Sequence, residues 1–307
     1  MSRTGSAARL LVLLLAGTGC RPRPGPPGGQ SDSATVAGRE ARLSEVLSHT
    51  DSGTDRDKPV ARWLLSPELN EISGLALTPD GRLLVNGDET ARIWEIDYRR
   101  GTVVKRFEVG SEPMAADFEG ATVADESVFL LTSGGRLYQF REGAGGTRVK
   151  YLVHKTKLGD ECEFEGLAFA PAISSLLLAC KTVRNRSLRD SLVIFRWNIE
   201  EGDGQRPSRL TVPLAKVIGS NRWKEFHPSD ITVDPTSGNY VLIASQEKAM
   251  IAITPAGEVV FARPLPGTHE QPEGVAITKD SILIISDEKG KSKTKSAVIT
   301  LYRWPLA

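Results

Sequence analysis

Short apolar runs separated by turn residues fill the chain from about residue 60 onwards. Some runs alternate apolar and polar residues, as in ARIWEID (91–97), and others are continuously apolar, as in ILIIS (282–286). Both kinds are typical of β-strands, half-buried in the first case and fully buried in the second. The pattern contains no convincing long amphipathic helix in this region and predicts an all-β domain.

A seven-residue motif recurs five times along this domain. The copies are EISGLAL (71–77), DFEGATV (117–123), EFEGLAF (163–169), PSDITVD (228–234) and QPEGVAI (271–277). Their fourth residues are 46, 46, 65 and 43 positions apart. A period in the forties with about four strands per unit is typical of a β-propeller. A β-sandwich with accidental internal similarity is the alternative, and five matched copies favour the propeller.

The number of motif copies predicts five blades within a domain spanning 58–307. Six blades are the alternative, if the long third repeat (166–231) conceals a degenerate blade. We instead assign its excess length to a loop at 181–191 and a polar insertion at 200–208. The last repeat offers only three strands, so we expect PVARWLL (59–65) to add the fourth. Pairing the N-terminal strand with the C-terminal strand then closes the ring and leaves no open sheet edge.

The first twenty residues are typical of an export signal. A short positive region precedes the apolar run Leu10–Ala16, and small residues then precede Cys20. The end of this segment resembles a bacterial lipoprotein signal, which implies lipidation of Cys20, although Gly17 stands where such signals usually have Leu. An ordinary cleaved signal with an incidental cysteine is the alternative. Residues 21–57 are expected to form a flexible linker. We therefore expect a protein of the cell envelope, lipid-anchored to a bacterial membrane whose leaflet stays open.

The charge balance and the number of cysteines exclude some classes of protein. Lys plus Arg is 39 and Asp plus Glu is 38, so the net charge is +1. This balance argues against a dedicated nucleic-acid-binding protein, which needs a basic excess. Three cysteines cannot make a disulfide scaffold. Cys162 and Cys180 flank the first hairpin of the third repeat, and whether they pair stays open.

Acidic residues recur at the start of the motif. In a propeller the first strand of each blade lines the central channel, and side chains two residues apart point to the same face. Two positions per motif can therefore face the axis near one mouth. The strongest candidates for a shared site are Glu119, Glu165 and Glu273, followed by Asp230, and then by Glu71, Asp117 and Glu163.

Converging carboxylates need compensation. Two of them about 5 Å apart repel by roughly 3 kcal/mol at an effective dielectric near 20. A shared proton, a facing Arg or Lys, or a bound cation can offset this repulsion. Ca²⁺ accepts six to eight oxygen ligands in loose geometry, whereas no nearby Cys/His cluster suits zinc. We therefore expect a calcium site, with the alternative that each acid satisfies only turn backbone donors or faces water.

The motifs resemble those of the SdiA-regulated family, exported bacterial proteins whose C-terminal domain is a five-bladed propeller. The resemblance covers about 60–304 and includes the acids after second strands, as in ILIISDE (282–288). It implies a bound calcium and distant kinship with NHL-type propellers, some of which are metal-dependent enzymes, but no established reaction. Two repeats depart from the pattern, with LLTSGGR (130–136) and ACKTVRN (179–185) where others carry acids.

Three functions follow from these features. The first is a calcium-binding propeller that acts as a binding or scaffold module, taking a small anionic ligand or a partner's loop at a rim that carries Arg184 and Arg186. The second is a metal-dependent hydrolase of a phosphoester, ester or lactone, with His227 or His269 as general base. The third is a calcium ion that only holds the blades together. No GxSxG elbow or P-loop is present.

Overall fold

Five small antiparallel sheets form the architecture. The computed structural model describes residues 32–48, 57–290 and 296–305. In chain order the described strands are β1 (Ala61–Leu64), β2 (Ile72–Leu77), β3 (Leu83–Gly87), β4 (Arg92–Asp97), β5 (Thr102–Val109), β6 (Phe118–Ala124), β7 (Ser127–Thr132), β8 (Arg136–Arg141), β9 (Arg148–Val149), β10 (Tyr151–Lys155), β11 (Cys162–Ala170), β12 (Ser175–Val183), β13 (Ser191–Asn198), β14 (Ser208–Pro213), β15 (Asp230–Val233), β16 (Tyr240–Ala244), β17 (Ala249–Ile253), β18 (Val259–Pro264), β19 (Pro272–Ile277), β20 (Ile282–Asp287) and β21 (Val298–Arg303). The described helices are α1 (Asp32–Ser48) and α2 (Leu214–Ile218), with three single 3₁₀ turns at Pro67–Leu69, Pro171–Ile173 and Arg186–Leu188.

These sheets are the five blades of a β-propeller, as the motif count predicts. Blade 1 contains β2–β5 with β9 added in parallel, blade 2 contains β6, β7, β8 and β10, blade 3 contains β11–β14, and blade 4 contains β15–β18. The long third repeat forms one blade plus the helix α2, so the excess length lies in connections and not in a sixth blade.

The ring closes between the two ends of the domain. Blade 5 has the strand order β1-β21-β20-β19. Strand β1 pairs antiparallel with β21, with Ala61 opposite Leu301 and Leu64 opposite Val298. The closure predicted from PVARWLL is therefore confirmed.

Apolar layers between neighbouring blades form the core. Three of the five second strands, β3, β16 and β20, are buried along their whole length. Buried side chains gather into five clusters, and each cluster joins two neighbouring blades. Leu84 and Ile93 of blade 1, for example, pack with Phe118 and Leu130 of blade 2. The continuous apolar runs of the sequence are the strands that face a neighbouring blade on both sides.

The motif glycines let the inner strands touch around the axis. A Cβ on Gly74 would lie 2.5 Å from the backbone N of Ala121, and one on Gly120 would lie 2.8 Å from the N of Leu167. A Cβ on Gly166 would lie 2.7 Å from the Cα of Asp230. A Cβ on Gly274 would lie 2.4 Å from Ser286 and 2.6 Å from the backbone O of Ser73. These four glycines, named here the glycine ring, allow a backbone approach that any side chain would block.

The segment expected to be a flexible linker contains a helix. Residues 32–48 form α1, and Leu43 is buried against the cluster between blades 5 and 1. The Arg39 guanidinium donates to the Arg100 carbonyl (2.9 Å) and lies over the Trp63 ring. The expectation of a linker throughout 21–57 is therefore wrong for this part. Within this polar segment Leu43 and Leu47 both pack on the propeller, and such tertiary packing is what stabilises most helices.

Cys162 and Cys180 form a disulfide, which answers the pairing left open by the sequence. Their Cα atoms are 5.6 Å apart. Phe164 is the residue opposite Cys180, and register shifts in β11 bring Cys162 diagonally within reach.

Among the described residues, no helix has the length and apolar character needed to cross a bilayer.

The glycine ring can be tested with a matched pair of substitutions. Gly166 and Gly81 both have positive φ, 97° and 86°, but nothing lies within 4 Å of a Cβ at Gly81. We expect Gly81→Ala to cost about 1 kcal/mol from backbone strain alone. Gly166→Ala should cost at least ~2 kcal/mol more, because the new Cβ also forces two inner strands apart. Urea unfolding measures both, and equal losses would refute a role for close backbone approach.

Candidate functional site at the acidic mouth

The inner strands begin at the face where the second strands end. The N–H of Asp88 donates to the carbonyl of Glu71 (3.2 Å), and the N–H of Glu288 donates to that of Gln271 (2.9 Å). The N–H of Ser133 likewise donates to Asp117 (3.0 Å). The acids that the sequence assigns to one mouth therefore do lie at one face. We call Glu71, Asp88, Glu119, Glu165, Glu273 and Glu288, taken together, the acidic mouth.

Glu165 is the most enclosed of the three leading candidates. The residue is 7% exposed, and its Oε1 contacts the Nζ of Lys181. Its Oε2 is buried without a hydrogen-bond partner among the described residues. Burial raises the pKa of Glu165 to about 7 against the opposing effect of Lys181, with Glu273 and Glu163 adding repulsion. A buried carboxylate oxygen without a donor is an energetic cost in this fold.

Glu119 carries the largest resolved perturbation at the mouth. Burial raises its pKa to about 9, and the charges of Glu165 and Asp117 act in the same direction. Lys181 opposes them without cancelling them. Glu119 therefore holds a proton at neutral pH unless another positive charge arrives.

Glu273 completes the group on a third blade. Its Oε1 accepts from the Ser245 hydroxyl (3.1 Å), and burial raises its pKa. Lys181 and Lys248 act against that rise, and Asp287 adds to it. The charges of Glu119, Glu165 and Glu273 all raise the pKa of Lys181. One ammonium is therefore the counterion of three carboxylates.

Asp230 lies deeper, at the level of the glycine ring. It is fully buried, and its Oδ2 accepts from the backbone N–H of Val275 (2.8 Å). Burial raises its pKa well above the ordinary value, opposed by backbone amides of Val275, Ile231, Leu167 and Leu75. These amides come from blades 5, 4, 3 and 1. Asp230 therefore ties inner strands together at the axis.

The three second-rank acids lie nearer to solvent. Glu71 and Asp117 are exposed, and the Ser133 hydroxyl donates to Asp117. Glu163 lies 3.7 Å from an Arg184 nitrogen. Burial is the main cause of the raised pKa of Asp88, and repulsion from Glu71 is the second. Negative charges therefore repel one another at the rim as well as in the interior of the mouth.

The side chains as they stand do not enclose an ion. Within the ranges that the structure describes, no three His, Cys, Asp or Glu side chains form a cluster that could hold a metal. The Lys181 contact with Glu165 contributes to this, because an ammonium occupies one side of that carboxylate. Lys181 falls in the loop predicted at 181–191, but it lies on β12, and Lys248 was not among the predicted site residues. The only signal was a lysine at the end of a second strand, where other repeats have acids.

The two candidate histidines have different environments. His269 is buried, its Nδ1 lies 2.6 Å from Asp287 Oδ2, and its Nε2 lies 2.9 Å from the Tyr302 hydroxyl. His227 is partly exposed, and its Nδ1 lies 2.7 Å from Glu247 Oε1. The backbone N–H of His227 also donates to Glu247 Oε2 (3.1 Å). Both ring nitrogens of His269 are thus hydrogen-bonded. In His227 only Nδ1 is within hydrogen-bond distance of a carboxylate, whereas Nε2 lies 3.6 Å from Oε2 of the exposed Glu225.

The expected basic rim is partly described. Arg184 donates to the Gly159 carbonyl (2.6 Å), which fixes its guanidinium near Glu163. Arg186 is exposed in the 3₁₀ turn Arg186–Leu188. Cys20, the expected lipidation site, lies outside the described residues.

Comparison with known proteins agrees with the fold and with the motifs. A family model described as SdiA-regulated matches residues 220–301, which confirms the expected resemblance over blades 4 and 5. Glutaminyl cyclase of Myxococcus xanthus is similar in structure, with a TM-score of 0.55, 11% identity and coverage of 79% of this chain and 94% of that one. The PQQ-bound form of aldose sugar dehydrogenase from Streptomyces coelicolor has a TM-score of 0.49 and 15% identity, with coverage of 79% of this chain and 98% of that one. At 11% identity, the likeness to the glutaminyl cyclase shows a shared fold and nothing further. No curated protein matches the sequence.

The raised pKa values predict how stability depends on pH. Glu119 and Glu165 bind protons in the folded chain that the unfolded chain, with pKa values near 4.5, has already released. The free energy of unfolding should therefore fall as the pH rises from about 5 to about 9. Glu119→Gln removes one titrating proton, worth up to about 1.4 kcal/mol per pH unit, and should flatten this decline between about pH 7 and 9.

Urea unfolding at several pH values measures this slope. Glu126→Gln is the matched control, because the Glu126 side chain is 76% exposed and pairs with Arg141, which is also exposed. That control should keep the wild-type slope. If Glu119→Gln and wild type decline in parallel, the carboxyl of Glu119 is not the proton acceptor that its burial indicates.

Proposed function

We propose that this propeller is an exported, lipid-anchored calcium-binding protein that serves as a binding or scaffold module at the cell envelope. The observation that carries the proposal is the shortage of positive charge at the acidic mouth. Glu119, Glu165 and Glu273 all have raised pKa values and share Lys181 as a counterion. A divalent cation would supply the missing charge.

The available oxygens suit a hard cation. The buried Oε2 of Glu165 has no hydrogen-bond partner among the described residues. Carboxylate oxygens are the ligands that Ca²⁺ prefers, and Ca²⁺ tolerates irregular geometry. The Lys181 ammonium does not fit such a site, because it lies against Glu165. Calcium and the Lys181–Glu165 contact should therefore compete for the same carboxylate.

A cation at this position would give the mouth an affinity for anions. It would present open coordination positions to a carboxylate or phosphate of a small ligand or of a partner's loop. Arg184 and Arg186 lie at the described part of the rim and would add charge-assisted hydrogen bonds. The three glutamates come from blades 2, 3 and 5, so an ion bound to them would also hold these blades together. A calcium ion with this structural role alone is the narrower version of the proposal.

Two features support a location outside the cytoplasm. The Cys162–Cys180 disulfide fits an oxidising compartment. The sequence of residues 1–20 has the features of an export signal that ends at Cys20.

A calcium-dependent hydrolase is the second candidate, and His227 is the observation that favours it. Glu247 contacts both the backbone N–H and the ring Nδ1 of His227, which holds the imidazole in one orientation. Nε2 could then take a proton from water while the resulting hydroxide attacks an ester, lactone or phosphoester, and the leaving oxygen takes a proton in turn. His269 does not support this role, because Asp287 and Tyr302 engage both of its nitrogens.

Calorimetric titration with CaCl₂ at pH 8 tests the cation site. We expect saturable binding of one ion, and a reduction in affinity of at least tenfold in Glu119→Gln and in Glu165→Gln, about 1.4 kcal/mol each. Lys181→Met should bind more tightly than wild type, because the competing ammonium is gone. Glu126→Gln is the control and should match wild type. Absence of binding at millimolar calcium in the folded wild-type protein would rule out the proposal.

Hydrolysis has a separate test. A panel of phosphoesters, esters and lactones with calcium present should show turnover that His227→Asn abolishes while calcium affinity stays unchanged. Calcium binding without turnover on any class would leave the scaffold function and remove the hydrolase.

A further inference from the structure

A second concave site lies at the opposite end of the channel. It is a cavity of about 720 Å³ where the inner strands end and turn outwards. All five inner strands contribute apolar side chains to its walls, among them Leu77, Val123, Phe169, Val233 and Ile277. The first four of these side chains are only half-buried.

The glycine ring separates this cavity from the acidic mouth. The cavity includes residues that follow the ring glycines in each strand, such as Leu75 and Leu167, whereas Glu119, Glu165 and Glu273 precede them. At the ring the backbones of neighbouring strands approach too closely to admit even a Cβ. Asp230 fills the axis at the same level. The two sites therefore have separate openings and can take different ligands.

Two ion pairs and one lysine–carbonyl hydrogen bond engage charged side chains at the cavity. Arg82 pairs with Asp80 at 2.9 Å, and Arg99 pairs with Asp280. The Lys279 ammonium donates to the Pro79 carbonyl (3.0 Å). The neighbouring arginine holds the pKa of Asp80 at about 2, so this carboxyl is ionised across the neutral range. A charged ligand would have to break these contacts, whereas an uncharged ligand would leave them in place.

We infer that this cavity binds an uncharged, largely apolar small molecule. Its volume lies in the range of pockets that enclose a small organic ligand, and its walls are mainly apolar, with hydroxyls such as those of Thr122 and Thr232 as the polar groups on the inner strands. The ligand would remove the half-exposed Leu77, Val123, Phe169 and Val233 side chains from water, which is the driving force for binding. This inference does not depend on calcium or on the lipid anchor.

N-phenyl-1-naphthylamine, an uncharged apolar fluorophore, is the probe. We expect saturable fluorescence enhancement with one probe per chain. Val123→Asp should weaken binding at least tenfold, because it places a carboxylate in the apolar wall. Leu77→Gln is a milder second variant that should weaken binding in the same direction, and it decides the matter if Val123→Asp does not fold. Thermal unfolding establishes which variants are folded.

Leu152 provides the matched control. It is 64% exposed on β10, the outer strand of blade 2, and contributes nothing to the cavity. Leu152→Ser should leave probe binding unchanged. The inference is overturned if the wild-type protein shows no saturable binding, if Leu152→Ser lowers it, or if folded cavity variants bind like wild type. A titration repeated with saturating calcium should give the same affinity, which keeps this result independent of the acidic mouth.

Discussion

Backbone contact around the axis is the constraint on which the rest of the structure depends. Four of the five inner strands carry a glycine where a neighbouring strand passes within a distance that excludes a Cβ. The fifth strand has Ile231 there, and Asp230 beside it accepts the N–H of Val275. This contact sets the radius of the ring. It also places the residues that precede the glycines near the axis at one face, which is why Glu119, Glu165 and Glu273 all lie at the acidic mouth.

The shared position of these acids explains the electrostatics of the mouth. Three carboxylates are brought into a partly desolvated space by packing that serves ring closure, and burial is the largest contribution to every raised pKa among them. Lys181 reduces the repulsion without removing it. Such a site lowers the stability of the fold at neutral and high pH. A marginally stable protein retains an arrangement of this kind most readily where the arrangement serves binding.

Local pattern was enough to predict what repeats in this protein. The motif spacing gives five blades, and the missing fourth strand of blade 5 identifies 59–65 as the closing strand, because both signals reside in contiguous residues. Three features depend on contacts between distant segments and were not predictable this way. Leu43 anchors α1 from within a polar segment, Lys181 lies near the glutamates from the end of β12, and register shifts in β11 bring Cys162 diagonally within reach of Cys180.

One seven-residue motif thus specifies two chemically opposite sites. Residues before the glycine are acidic and point to one mouth, whereas residues after it are apolar and line the cavity at the other end. The copies of the motif differ at the position before the glycine. Blade 1 has Ser73 and blade 4 has Asp230 where the other three have glutamate, so the acidic group is lopsided and blade 3 supplies its counterion, Lys181. A ring built by repetition therefore acquires a single asymmetric site, as recognition of one small ligand or one ion requires.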